Sequence, residues 1–229
     1  MTLSSFPLKI LYQDNHLIAV YKPHGLATQA DTKGGPALLD QTRQWIKTAH
    51  NKPGNVFLGL VHRLDKPVSG VVLFAKTSKA ASRLAEQFRE RKTKKTYRAI
   101  ICGTPIQENG SLVQYLRKEN SLKATVFPRP TPGAKKSVLS YTLIEKLPDT
   151  SILEIILETG RFHQIRAQLA FMGNPILGDV KYGARSPLPD RQIALYAQKL
   201  VVTHPISKDE ITLESPPPPG WPFENKQGQ

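Results

Sequence analysis

Apolar positions along this chain fall mostly into short runs of strand period, broken by a few stretches of helical spacing. The most compact run is Val71 to Ala75, VVLFA, continuously apolar and partly β-branched or aromatic. It reads as a strand covered on both faces, fed by a turn at Ser69-Gly70. Before it, Leu8 to Tyr12 and Leu17 to Tyr21 read as short strands joined across Gln13-Asp14-Asn15 as a hairpin, followed by a polar loop from His24 to Gly35. From Pro36 the spacing turns helical: Leu38, Thr42 and Trp45 lie beside Leu39 and Ile46, and Pro36 suits a first turn. A second helix follows the buried strand, with Ser78 as its cap, Ala81, Leu84, Ala85 and Phe88 as its apolar stripe, and Arg89, Arg91 and Lys92 at its C-terminal end. Strands are expected at Thr96 to Cys102, Val138 to Lys146 and Ile152 to Glu158, the last two joined across Pro148-Asp149. Ile165, Leu169 and Met172 predict a helix that stops at Gly173.

The prolines from Pro216 to Pro219 forbid helix and read as a rigid crossing, and Asn225 to Gln229 as a frayed tail. No repeat or low-complexity linker divides the middle. The expectation is therefore one domain over residues 1–215, followed by a proline-rich segment and tail over 216–229. Strands and helices without strict βαβ alternation place the domain in the α+β class.

Composition narrows the function. Lys and Arg number 32 against 18 Asp and Glu, a formal net charge of +14, which points to nucleic acid as partner. A single cysteine, Cys102, excludes an intramolecular disulfide and fits a reducing compartment. No apolar stretch reaches bilayer length and the first residues lack the core of a signal peptide, so a cytoplasmic protein without membrane association is expected. The histidines and the cysteine show no metal-ligand spacing, and the scattered glycines form no phosphate-cradling signature; no metal and no cofactor are expected. Residues 89 to 98, RERKTKKTYR, suit either a solvated charged face or a phosphate-tracking surface.

One carboxylate stands out. Asp65 lies in VHRLDKPVSG, between a basic tripeptide and the buried strand, with Arg63 two residues away. A short acid held on a loop at a sheet edge beside a cation is placed to stay ionised, as a nucleophile or a charge stabiliser. Taken alone, HRLD reads first as a solvated turn in which Arg63 and Asp65 merely neutralise each other. The later segment ETGRFHQIR, Glu158 to Arg166, followed by GNPILGDVKYG, Gly173 to Gly183, changes that balance. With these stations in order, the chain resembles the pseudouridine synthases of the RluA type. Lys22-Pro23, Lys95-Thr96-Tyr97, His204-Pro205 and the Pro216 to Trp221 region also fit the resemblance.

The resemblance implies a pseudouridine synthase fold, a large mixed and mostly antiparallel sheet bordered by helices, with the active cleft across its middle. It implies a member without an N-terminal RNA-binding domain that isomerises a uridine of structured RNA, a ribosomal or transfer RNA stem-loop, and acts as a monomer. Asp65 is then the catalytic aspartate, Arg166 its ion-pair partner, and Tyr97 the aromatic packed on the target base, with a hydroxyl suited to removing the proton from carbon 5. Arg63 is expected to enter the space left by the flipped nucleotide. His62, Lys95, Arg161 and Lys22 complete the expected RNA contacts, although hydrogen bonding within the fold suits His62 and His163 better than acid–base work. Phe162 stands where many members have Thr, and Pro67-Val68 replaces a more polar pair. Two rival classes are a non-catalytic RNA-binding factor and a metal-dependent RNA hydrolase; the intact Asp65, Arg166 and Tyr97 disfavour the first, and the lack of a carboxylate cluster the second.

Overall fold

The computed structural model describes residues 8–30, 34–218 and 220–221. The chain divides into two compact units, Met1–Thr93 with Ala197–Pro218, and Lys94–Tyr196 with Pro219–Gln229.

In the first unit, β1 (Ile10–Gln13) and β2 (Leu17–Lys22) form the expected hairpin, and β2 pairs antiparallel with β4 (Ser69–Ala75) from Leu17↔Ala75 to Lys22↔Gly70. A two-residue strand, β3 (Gly59–Leu60), also pairs with β4. Every residue of β4 is buried, as its unbroken apolar run requires. Ser69 and Gly70 belong to this strand and are not the turn ahead of it; the turn is one step earlier, where the Val68 N–H donates to the Asp65 carbonyl. Helix α1 (Leu38–Ala49) buries Leu38, Leu39, Thr42 and Ile46. Helix α2 (Ser78–Arg89) is capped by Thr77, whose hydroxyl accepts from the Ala80 N–H; Ser78, the expected cap, is already helical.

The second unit holds β5 (Lys94–Cys102), β6 (Asn109–Lys118), β7 (Ala124–Phe127), β8 (Lys135–Lys146) and β9 (Thr150–Leu157) in the antiparallel order β5-β9-β8-β6-β7. β6 and β7 were not expected from the pattern. The hairpin they form mixes polar and apolar residues without clean alternation and is only half buried. Helix α3 (Gln164–Phe171) follows, ending before Gly173 as its spacing predicts. Strand β10 (Leu195–Thr203) begins in this unit and continues in the first, where it pairs antiparallel with β11 (Glu210–Glu214). Residues 216–218 carry no helix or strand; Pro219 and the 225–229 tail lie outside the described residues. Among the described residues no helix is long and apolar enough to cross a membrane.

Candidate active site

Asp65 sits on a loop between β3 and β4 whose backbone is fastened on both sides of it. On one side, the Thr28 hydroxyl donates to the Leu64 carbonyl and accepts from the Leu64 N–H, at 3.0 and 3.1 Å. On the other, the Lys66 carbonyl accepts from the Gly25 N–H at 2.8 Å and from Lys22 Nζ at 3.1 Å. Leu64 and Val68 point into the core, while Asp65 itself stays half-exposed. The apolar Val68 in place of a polar residue thus serves packing. A carboxylate on a loop held by its neighbours' backbone is pre-positioned for chemistry.

His62 continues where β3 stops. Its Nε2 accepts the N–H of Leu73 at 2.9 Å, and its ring stacks on Phe88 of α2 at 5.0 Å and 17°. One nitrogen and one ring face are therefore committed to the fold, which makes His62 an anchor of the loop. Arg63, next along, is exposed.

Lys22 departs from expectation. It closes β2 opposite Gly70, with 0% of its surface exposed, and Nζ donates to the carbonyls of Pro23, Leu26 and Lys66 at 3.0, 2.7 and 3.1 Å. A lysine so enclosed is closed to phosphate; it is an internal tie between the 23–26 segment and the Asp65 loop. Burial pushes its pKa down to about 7, while the nearby charge of Asp65 works in the opposite direction.

A pH dependence follows. Between pH 7 and the ordinary lysine value, the unfolded chain holds a proton on Lys22 that the folded chain has lost, so stability rises with pH across that window. Lys22→Met removes this dependence. Urea unfolding from pH 7 to 10 should show wild type gaining on the variant by up to about 1.4 kcal/mol per pH unit. A constant difference would contradict the burial of this amine.

The second unit holds the other predicted residues. Tyr97 is buried on β5 opposite Ile155 of β9, and Lys95 lies two residues earlier on the same face of the strand. Lys95 Nζ reaches Gly160, where an added Cβ would stand 3.8 Å from it, beside Arg161. Arg161 donates through Nε to the Lys136 carbonyl at 3.2 Å, and its N–H goes to Gln164 Oε1 at 3.0 Å. Gln164 also accepts from the Thr159 hydroxyl at 2.8 Å and donates to the Val138 carbonyl at 3.1 Å. The T-G-R-F-H-Q turn is thereby bound to the end of β8.

Arg166, on α3, has a carboxylate partner that sequence reading did not single out. Nε and Nη2 meet Oδ2 and Oδ1 of Asp179 at 2.6 and 2.8 Å, and the guanidinium lies 5.0 Å from the ring centre of Tyr182. The expectation named Asp65 alone for this arginine; the bidentate partner within its own unit is Asp179, from the GNPILGDVKYG segment. The signal was present in the sequence as a lone acid inside an apolar run, since such a residue is buried only when paired. Thr28 offered no comparable sign.

His163 enters α3 with a left-handed φ of 52° and contacts the Tyr182 hydroxyl through Nδ1 at 2.9 Å. Burial, helped by the charges of Arg166, Lys181 and Lys118, lowers its pKa to about 3, so it is neutral at physiological pH. Phe162 stacks on this imidazole at 3.8 Å, with Lys118 Nζ 5.0 Å from its ring centre. No group of His, Cys, Asp and Glu able to hold a metal occurs among the described residues.

Comparison with known proteins identifies the family. Residues 16–171 match the RNA pseudouridylate synthase family. The RNA pseudouridine synthase YhcT of Bacillus subtilis (strain 168) is 35% identical over 216 residues, covering 92% of this chain and 69% of the relative. The ribosomal large subunit pseudouridine synthase D of Vibrio cholerae (serotype O1) is 33% identical, over 93% of this chain and 68% of its own. Ribosomal large subunit pseudouridine synthase C of Rickettsia bellii is also 33% identical, over 90% and 67%. Among solved structures, human RNA pseudouridylate synthase domain containing 4 superposes with a TM-score of 0.78 at 26% identity, over 92% of this chain and 89% of that one. With the HRLD loop, the TGRFHQIR turn and the large antiparallel sheet accounted for, the chain belongs to the RluA-type RNA pseudouridine synthases and is an isomerase of that family.

Proposed function

We propose that this chain isomerises a specific uridine of structured RNA, with Asp65 as the catalytic carboxylate. The observation that carries the reading is the double fastening of the Asp65 loop, through Thr28 on one side and Lys22 on the other, around a side chain left half-exposed. Residues 1–215 act together as the catalytic domain, with the 216–229 segment as an appendage. The protein works as a monomer in the cytoplasm.

The reaction breaks the bond from the anomeric carbon to nitrogen 1 of uracil and makes one to carbon 5; the proton leaves carbon 5, and nitrogen 1 ends protonated. Nothing is oxidised or consumed, so no cofactor is required. Asp65 serves by adding to the anomeric carbon or by stabilising a cationic sugar and taking a proton from it. Uracil leaves as a resonance-stabilised anion, which needs hydrogen-bond donors more than a second acid. The family motifs assign Arg166 to charge stabilisation, Tyr97 to packing on the base and assisting proton removal from carbon 5, and Arg63 to the place of the extruded nucleotide. Lys95 and Arg161 meet phosphates, within a chain of net charge +14.

Large-subunit ribosomal RNA is the first candidate target, because two relatives carry that substrate in their names; transfer RNA is the second. The purified protein should release tritium from carbon 5 of labelled uridine in unmodified ribosomal RNA, with or without chelator. Release from transfer RNA alone would move the target, and release only on adding metal would overturn the mechanism. Tyr97→Phe separates packing from proton removal: the variant should still cleave the glycosidic bond but stall before product. Deuterium at carbon 5 should then slow it more than wild type. Wild-type turnover without an enhanced isotope effect would leave Tyr97 a packing residue.

A further inference from the structure

Phe162 and the cations around it have no part in the reaction as described so far. We propose that Phe162, with Lys118 beside it, is a stacking platform for an unpaired base of the RNA substrate, so that the enzyme favours loops and bulges over continuous duplex. This rests on the reading that the substrate is structured RNA.

The platform lies wholly within the Lys94–Tyr196 unit. Neighbouring side chains point to opposite faces of a strand and well apart on a helix, so two consecutive rings stack only where the backbone departs from both. The left-handed His163, at φ 52°, supplies that departure, and the rings of Phe162 and His163 lie within 19° of parallel at 3.8 Å. Tyr182 braces His163 in turn, edge-on at 5.6 Å; its hydroxyl contacts Nδ1 and accepts the Ala124 N–H of β7 at 2.8 Å. One face of Phe162 is thus backed by a fixed and neutral ring, since burial and the charges of Arg166, Lys181 and Lys118 keep the imidazole unprotonated. Phe162 packs against the small cluster of Leu116, Ala124, Ala167 and Tyr182, yet stays half-exposed. Covering that cluster calls for an apolar side chain; it does not call for a ring.

Cations gather around the stack. Lys118 Nζ stands 5.0 Å from the Phe162 ring centre and Lys123 Nζ 5.4 Å from that of Tyr182, while Lys181 donates to the Leu122 carbonyl at the turn between β6 and β7. All three lysines are exposed. Residues 117–136 hold six Lys and Arg against one acid, Glu119, which is bonded to Arg117 at 3.0 Å. An ammonium over an exposed ring is held weakly, whereas a base stacks on an aromatic ring more strongly. An arriving base therefore displaces Lys118, whose flexible stem lets the ammonium swing to the adjoining phosphate. A ring for the base with cations for the backbone is the combination that binds single-stranded RNA; a paired base inside a helix has no free face to offer. A bare polyanion would use the charge and leave the ring idle.

The test compares binding to three RNAs of about 12 nucleotides, a single strand, the same strand made abasic throughout, and a duplex. Wild type should bind the single strand at least about 5-fold more tightly than the abasic one. Phe162→Leu keeps an apolar side chain over the cluster and removes the ring. It should lower affinity for the single strand at least about 5-fold, while affinity for the abasic strand and the duplex stays within about 2-fold. Phe162→Tyr, which restores a ring, should bind as wild type does. Lys118→Gln should weaken both single strands alike and reduce the salt slope by about 0.7. Equal losses on the two strands for Phe162→Leu, or no loss on either, would overturn the platform, while tritium release by wild type from ribosomal RNA would still uphold the substrate reading. A wild type that neither releases tritium nor binds any of the three RNAs would remove that reading and the inference with it. Should Phe162→Leu not fold, the unaltered protein decides: irradiation with a strand carrying 5-bromouridine should attach the RNA at Phe162 or His163, and attachment confined to other residues would refute the platform.

Discussion

Asp65→Asn should abolish turnover, lowering the rate of pseudouridine formation by at least about 10,000-fold, the scale on which loss of an essential nucleophile is felt. The amide has the same shape and fits the same half-exposed place, because the loop is held through the backbone of Leu64 and Lys66. RNA affinity and the unfolding midpoint should therefore stay close to wild type. Lys22 is the group that feels the exchange, since it loses the carboxylate charge that favours its ammonium form. Measured turnover of the purified variant, with wild-type contamination excluded by isolation from a strain lacking the gene, checks this directly. A variant that still forms pseudouridine would remove Asp65 from the chemistry.

The largest effect on stability is expected at Gly70, five residues beyond Asp65. It lies within β4 at φ +120°, and a Cβ there would stand 2.2 Å from the carbonyl oxygen of Ala197 and 2.6 Å from its nitrogen. Both obstacles are backbone atoms of β10, so no rotamer change relieves the overlap. Gly70→Ala should cost at least about 4 kcal/mol, enough to leave little folded protein. Gly25 offers the comparison: its φ of +77° is also left-handed, but nothing lies within 4 Å of an added Cβ. Gly25→Ala should therefore cost only about 1–2 kcal/mol of backbone strain. Urea unfolding of the two variants separates close approach from conformation; equal losses would mean that the β4–β10 approach is looser than described.

These two positions also show what the sequence makes legible. The buried strand after HRLD is evident from VVLFA because a strand covered on both faces needs no polar alternation, and every residue of it is buried. The hairpin of β6 and β7 escaped because half-buried strands mix polar and apolar residues with little contrast, as in NGSLVQYLRK. Helix α3 was found from Ile165 and Leu169, yet the stripe misdescribes its setting. Gln164, Arg166 and Gln168 are buried too, since they bond across to β6, β8 and Asp179, and so the helix has no solvent face along most of its length. Tertiary hydrogen bonds of this kind leave no periodic trace.

The candidate site was legible to a similar degree. Asp65 stands out as a carboxylate between a basic stretch and a core strand. The residues that hold it are harder to see, because a lysine in a sequence reads as a surface charge; only the three converging carbonyls turn Lys22 into an internal tie. In the same way the bidentate bond from Arg166 to Asp179 depends on the bend at Gly178, which brings together residues that no local pattern relates.

The most direct test of the central claim is a transcriptome-wide map of pseudouridine in total RNA from cells lacking the gene, complemented with wild type or with Asp65→Asn. The account predicts that a defined uridine, in large-subunit ribosomal RNA before any other class, is unmodified without the gene, restored by wild type and not restored by Asp65→Asn. A pseudouridine pattern identical in all strains, or restored equally by the Asp65→Asn variant, would contradict it.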